Sequence, residues 1–141
     1  MEKNIYKITE NTPLTKSIYK MILSGSTSAI TKPGQFINIK LDGFYLRRPI
    51  SICDYDENSI TIIYKVVGSG TEKMAEMNPG EELDILVGLG NGFDISKSGD
   101  SPLLIGGGVG TPPLFRLAKE LKNKNFTVIL GFNTADEVFY K

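Results

Sequence analysis

Histidine is absent from the 141 residues, and cysteine occurs once, as Cys53. Without an imidazole, Ser-His-Asp triads, histidine metal ligands and imidazole acid–base catalysis are excluded. One cysteine can neither close an internal disulfide nor hold an iron–sulfur cluster, which normally takes four thiolates. Cys53 lies in an apolar strand-like run and reads as a small buried hydrophobe. An excess of either charge is also lacking, with 16 Lys plus Arg against 16 Asp plus Glu. No strong field therefore draws nucleic acid or an anionic membrane. No apolar run approaches the roughly 20 residues needed to span a bilayer. The opening Met-Glu-Lys-Asn lacks the apolar core of a signal peptide. The expectation is a cytoplasmic protein with neither a nucleic-acid nor a membrane partner. Arginine is scarce too: there are three, and two of them are adjacent, Arg47 and Arg48.

Hydrophobic residues make up 40% of the chain and charged ones 23%, which suits a soluble globular core. Up to about residue 90 the pattern is one of short strands punctuated by turns. Ile5 to Glu10, Ser17 to Leu23, Gln35 to Leu41, Tyr45 to Ile52, Ile60 to Val67 and Leu83 to Val87 read as strands. In the third, Phe36, Asn38 and Lys40 alternate with Ile37, Ile39 and Leu41, as in a half-buried strand. Thr71 to Met77 reads as one short helix, stopped by Asn78-Pro79-Gly80. Close-set strands of this kind argue an all-β barrel or sandwich.

The pattern changes after the polar linker Asp94 to Asp100. Pro102 to Ile105 is a short apolar strand, and Gly106 to Gly110 a turn. Pro112 suits the first turn of a helix, and Leu114, Leu117, Ala118 and Leu121 fall at helical spacing. Phe126 to Phe132 is a second strand, so the unit is strand, helix, strand with a parallel pair. Thr134 to Glu137 has the capping-box pattern of another helix start. A two-strand parallel sheet cannot cover both its faces. The expectation is therefore a fragment, or a chain completed by another, with either an apolar patch that promotes self-association or a poorly ordered segment after about Asp100.

Two stretches carry chemistry. Arg48-Pro49-Ile50-Ser51 places a proline, which cannot donate to a strand ladder, beside an arginine fork suited to phosphate. An edge strand with an exposed arginine is the alternative. The second stretch, Gly68-Ser69-Gly70-Thr71, joins a strand to a helix start. Glycine admits close approach of a ligand to the backbone, and the helix end favours an anion. Thr71 reads equally as an ordinary N-cap. A third candidate, Gly106-Gly107-Gly108-Val109-Gly110-Thr111, fails as a P-loop because no Lys-Ser or Lys-Thr follows. It also lacks the last glycine of the Rossmann fingerprint.

Together, Arg-Pro-Ile-Ser, Ile63-Tyr64-Lys65 and Gly70-Thr71 resemble the flavin site of ferredoxin reductase-like flavoproteins. Pro33-Gly34-Gln35-Phe36, Leu89-Gly90-Asn91-Gly92-Phe93, the glycine run through Leu114 and Gly131-Phe132 extend the resemblance. They are most similar to the electron-transfer subunit of the NAD-linked, two-subunit dihydroorotate dehydrogenase. That family usually has Gly-Pro where this chain has Val87-Gly88. The resemblance implies a six-stranded antiparallel Greek-key barrel with one short helix over residues 1–98. The start of a parallel α/β nucleotide-binding domain would occupy residues 99–141. It implies FAD, with Arg48 on the diphosphate and Ser51 at the reactive edge of the isoalloxazine. Pro49 would belong to the same motif, and Ile50 would sit where many relatives place a stacking tyrosine. Ile63, Tyr64 and Lys65 would line the flavin or its ribityl chain, and Gly70 and Thr71 would hold the diphosphate. Gly107, Gly108 and Gly110 would let NAD pass close to the backbone, and the helix beginning at Thr111 would face its diphosphate, with weak binding in so short a chain. A 2Fe-2S cluster is implied only for a longer chain, since its cysteines do not occur here.

The implied role is electron transfer between a catalytic dihydroorotate dehydrogenase subunit and NAD in pyrimidine biosynthesis. The chain alone would not be fully competent. Two alternatives stay open: an NAD(P)H-linked reductase subunit of the ferredoxin–nicotinamide type, and a flavin-free barrel serving as an interaction module.

Overall fold

A computed structural model describes residues 1–140. Six strands close a barrel: β1 (Glu2–Pro13), β2 (Ile18–Ser24), β3 (Phe36–Ile39), β4 (Arg48–Tyr55), β5 (Ser59–Lys65) and β6 (Glu82–Leu89). Their order around the barrel is β1-β2-β5-β4-β3-β6, all pairs antiparallel, with β6 returning to β1. This is the expected Greek-key arrangement. Helix α1 (Ser69–Glu76) lies between β5 and β6. After a short 3-10 turn come β7 (Leu103–Gly107), α2 (Pro112–Glu120) and β8 (Thr127–Gly131), with β7 and β8 parallel.

Alternation builds the barrel core. Ile37, Ile39 and Leu41 are buried as expected, while Phe36 and Asn38 are half-buried and Lys40 is exposed. Tyr6, Ile8, Met21, Leu23, Ile52, Ile60, Ile62 and Ile85 join them in one cluster. Burying each such aliphatic side chain contributes about 1.5–3 kcal/mol.

Most element ends move by a few residues from the sequence reading, and β4 runs on to Tyr55; three differences have a clear structural reason. The first strand runs on through Asn11-Thr12-Pro13, because these residues still pair with β2. The fourth begins at Arg48 rather than Tyr45; Tyr45 is 99% exposed and pairs with nothing. Thr134 starts no α-helix. A 3-10 turn over Ala135–Glu137 gives way to extended backbone at Val138. Phe139 then packs on Ile18, Cys53 and Ile63 on the outer wall of the barrel.

The two-stranded sheet is covered on one side only. Leu104 packs with Leu117 and Leu121 of α2. A Cβ on Gly106 would lie 2.8 Å from Leu114, so glycine is what lets the helix approach the strand. On the other side Leu103, Ile105 and Ile129 are exposed, the apolar patch the strand pattern leads one to expect.

Burial first, and then the charge of Asp54, pushes the Cys53 thiol up to about 12. The thiolate is the reactive form. Iodoacetamide at pH 8 is therefore expected to leave the folded chain unmodified and to add one label after unfolding, as read by intact mass. Rapid labelling of the folded chain would mean that the Phe139 cover is absent.

Candidate functional site

The proline motif sits where the barrel is only half paired. Arg48, Pro49, Ile50 and Ser51 pair with Ile39, Asn38, Ile37 and Phe36 of β3. Pairing with β5 begins only at Ile52. Pro49, without an N–H, thus occupies a stretch whose β5 side carries no ladder. The strands part here, and the gap is a groove of about 380 Å³. Its walls are Arg48 to Ser51 on one side and Ile63, Tyr64, Lys65 and Val67 on the other, with Thr71 and Val109 completing it.

Arg48 closes one end. Its guanidinium lies 5.1 Å from the Phe44 ring centroid, and Nη1 donates to the Leu46 carbonyl at 2.6 Å. A Cβ on Gly70 would clash with Arg48 Nε, so only glycine leaves room for this arrangement. The arginine is thereby held against the first turn of α1. That helix has Gly68 at its N-cap and no side-chain cap. The N–H groups of Ser69 and Gly70 fall in the uncapped first turn, where a helix leaves its amides without internal partners. A cationic fork beside free amides at a helix start is a complementary setting for phosphate oxygens.

Arg47 is engaged elsewhere. Its Nη2 lies 3.0 Å from Asp84 Oδ1, and Nη1 donates to the carbonyls of Asn38 and Asp84 at 3.3 and 3.2 Å. It ties β3 to β6 and turns away from the groove.

Several expected site residues have a second job. Thr71 is not the N-cap. It stands at the third helical position, and its hydroxyl receives Val67 N–H at 2.9 Å and Gly68 N–H at 3.1 Å. It also donates to the Gly68 carbonyl at 3.0 Å. The hydroxyl therefore shapes the turn. Tyr64 reaches the groove only marginally, being 1% exposed and part of the barrel core. Its hydroxyl donates to Asn11 Oδ1 at 2.8 Å, and burial is the main cause of its raised pKa. Asn11 Nδ2 in turn donates to the Met74 and Met77 carbonyls at 2.8 and 2.9 Å. Asn11 thus braces the far end of α1 from inside the barrel, a role that sequence spacing did not reveal. Ile50 both lines the groove and rests on the core.

A second groove, of about 570 Å³, opens at the carboxyl ends of β7 and β8. Gly107, Gly108, Val109, Gly131 and Phe132 face Ile18 and Lys65 across it. Gly110 lines neither groove. Thr111 is buried beside Leu114 and Val128, and its hydroxyl has no hydrogen-bond partner among the described residues. Val109 and Lys65 border both grooves, so the two are neighbours. Val109 is the only residue with a side chain between Gly106 and Gly110, the one signal that could have marked it.

The described residues contain no group of three His, Cys, Asp or Glu placed to hold a metal ion. None of their helices is long and apolar enough to cross a membrane.

No protein-family model matches the sequence. The chain is 44% identical to the dihydroorotate dehydrogenase B (NAD(+)), electron transfer subunit of Fusobacterium nucleatum, over 95% of its own length and 56% of that protein. It is 41% identical to the subunit of the same name from a Geobacillus species, over 100% of itself and 59% of the relative. The chain is a homologue of these electron transfer subunits. It spans somewhat more than half the length of the relatives it matches. The structure of an NADH-dependent reduced ferredoxin-NADP oxidoreductase superposes with a TM-score of 0.85 at 28% identity, over 98% of this chain and 52% of that one. The barrel with its parallel pair is thus the ferredoxin reductase-like fold, as the motifs implied.

Proposed function

We propose that this chain binds FAD in the barrel groove and serves as part of an electron-transfer subunit. It would pass electrons between a catalytic dihydroorotate dehydrogenase subunit and NAD. The observation that carries the reading is the meeting of Arg48 with the uncapped start of α1 at one end of an apolar-walled groove. A dinucleotide needs both features: a cationic, donor-rich place for its diphosphate and a flat apolar slot for its ring. The homologues' shared name supports the assignment of the partner and of NAD.

In this reading Arg48 and the Ser69 and Gly70 amides hold the diphosphate, and Thr71 keeps the turn in shape. Pro49, Ile50, Ser51, Ile63, Tyr64 and Lys65 form the groove walls. A bound flavin supplies the electron and hydride chemistry, which no side chain here can provide. Gly107 and Gly108 keep the adjoining groove free of side chains, so that a nicotinamide could approach across Val109. The barrel domain would comprise residues 1–98 and the nucleotide-binding unit residues 99–141. A 2Fe-2S cluster belongs to no residues of this chain.

A ferredoxin–nicotinamide reductase subunit is the second reading, supported by the neighbour at 28% identity. The greater identity to the dehydrogenase subunits favours the first. Titration with FAD separates both from a flavin-free module. Saturable uptake, with one equivalent bound and a perturbed flavin spectrum, is expected. No uptake at micromolar chain would refute flavin binding. Co-purification with a dihydroorotate dehydrogenase catalytic subunit then tests the partner.

A further inference from the structure

The strand that carries the flavin motif also carries the contact that orients the second lobe. Along β4 the pairing with β5 shifts register between Ile52 and Asp54, so β4 has one residue extra. A bulge of this kind re-aims side chains. Ile52 stays in the barrel core, while Cys53 and Asp54, consecutive in sequence, both meet the α/β unit. Cys53 packs with Phe139. Asp54 takes two cations from α2, Arg116 Nη1 at 3.3 Å on Oδ1 and Lys119 Nζ at 2.7 Å on Oδ2.

Arg116 is held from four sides. It lies 4.0 Å over the Tyr55 ring, donates to the Tyr55 carbonyl and to Asp54, and pairs with Glu120 Oε2 at 3.0 Å. A planar guanidinium can stack and donate at once, which a lysine cannot. The side chains of Arg116 and Asp54 are 25% and 22% exposed, so water screens the pair only partly. The glycine turn directly precedes α2, and α2 touches the barrel through this cluster on β4. Fixing α2 therefore fixes where Gly107, Gly108 and Val109 stand relative to Pro49 to Ser51.

We propose that Arg116 and Asp54 are positioning residues, whose clasp sets the angle between the glycine turn and the barrel groove. The proposal deepens the electron-transfer reading and rests on it for its functional meaning. Its geometric content is testable without any cofactor.

The test is a distance distribution between spin labels at Lys7→Cys on the barrel and Lys122→Cys beyond α2, both exposed sites. Cys53 is buried and does not compete for the label. A single narrow distribution is expected for the parent chain. Arg116→Ala and Asp54→Asn should each broaden it, with far-UV circular dichroism unchanged, and the double variant should be no broader than either single one. Arg116→Lys should restore part of the narrowing. An unchanged distribution in both single variants would overturn the proposal. So would broadening that appears only together with lost helix signal, because that is a folding defect. FAD titration of the same samples keeps the two hypotheses apart. Failure of the parent chain to take up FAD counts against the function, while the distances still decide whether the clasp holds.

Discussion

Arg48→Ala is expected to weaken FAD binding about 10- to 150-fold, since a charge-assisted hydrogen bond contributes about 1.5–3 kcal/mol. Arg48 is the arginine held against Gly70 at the end of the groove. Arg47 is committed to the Asp84 carboxylate and to the carbonyls of Asn38 on β3 and Asp84 on β6. Arg47→Ala should therefore leave FAD affinity nearly unchanged while lowering stability. Fluorescence titration of both variants decides the matter. Equal affinities for Arg48→Ala and the parent chain would remove the diphosphate assignment. A larger loss for Arg47→Ala would mean that the wrong one of the pair was placed in the groove.

Ile62→Ala should cost about 2–5 kcal/mol of stability, the range for truncating a fully buried aliphatic side chain. Ile62 is 0% exposed and stands on β5 between Met21 of β2 and Ile52 of β4. The strands around it belong to a closed barrel, so the cavity cannot collapse by moving an edge. That loss is a large part of the roughly 5–15 kcal/mol that holds a typical domain together. Ile129→Ala is the matched control, because Ile129 is 52% exposed on the uncovered face of the small sheet. It should change stability by no more than about 0.5 kcal/mol. Urea unfolding followed by circular dichroism distinguishes them. Similar midpoints for the two variants would contradict the placement of Ile62 in the core.

Much of the architecture was legible in local pattern. Alternation from Phe36 to Leu41 identified both a strand and its buried face, because side chains on a strand point to opposite sides in turn. The proline in Arg48-Pro49-Ile50-Ser51 pointed to backbone free of a full ladder, and β4 indeed lacks its β5 partner there. The change from close-set strands to strand, helix, strand after Asp100 located the parallel unit. The uncovered face carrying Leu103, Ile105 and Ile129 followed from having one helix for a two-sided sheet.

Other features had no local signature. Thr71 read as a cap or a phosphate ligand, but its hydroxyl is taken up by the turn that it shapes. Tyr64 borders the groove as expected, but most of its ring is in the core, beside Tyr19 at 5.9 Å, which its position in the motif did not reveal. Asn11 lies outside the strands expected from the sequence, yet it braces α1 from 63 and 66 residues away. Arg116 and Asp54 are 62 residues apart in the chain. By itself the sequence determined the strands, the turns, the parallel pair and the motif that places Arg48 in the groove, because each depends on neighbouring residues. Only the tertiary structure decided which side chains meet across the barrel and between its two lobes. One extra residue at the β4 bulge turns both Cys53 and Asp54 toward α2 and Phe139, and no pattern within the strand announces that shift.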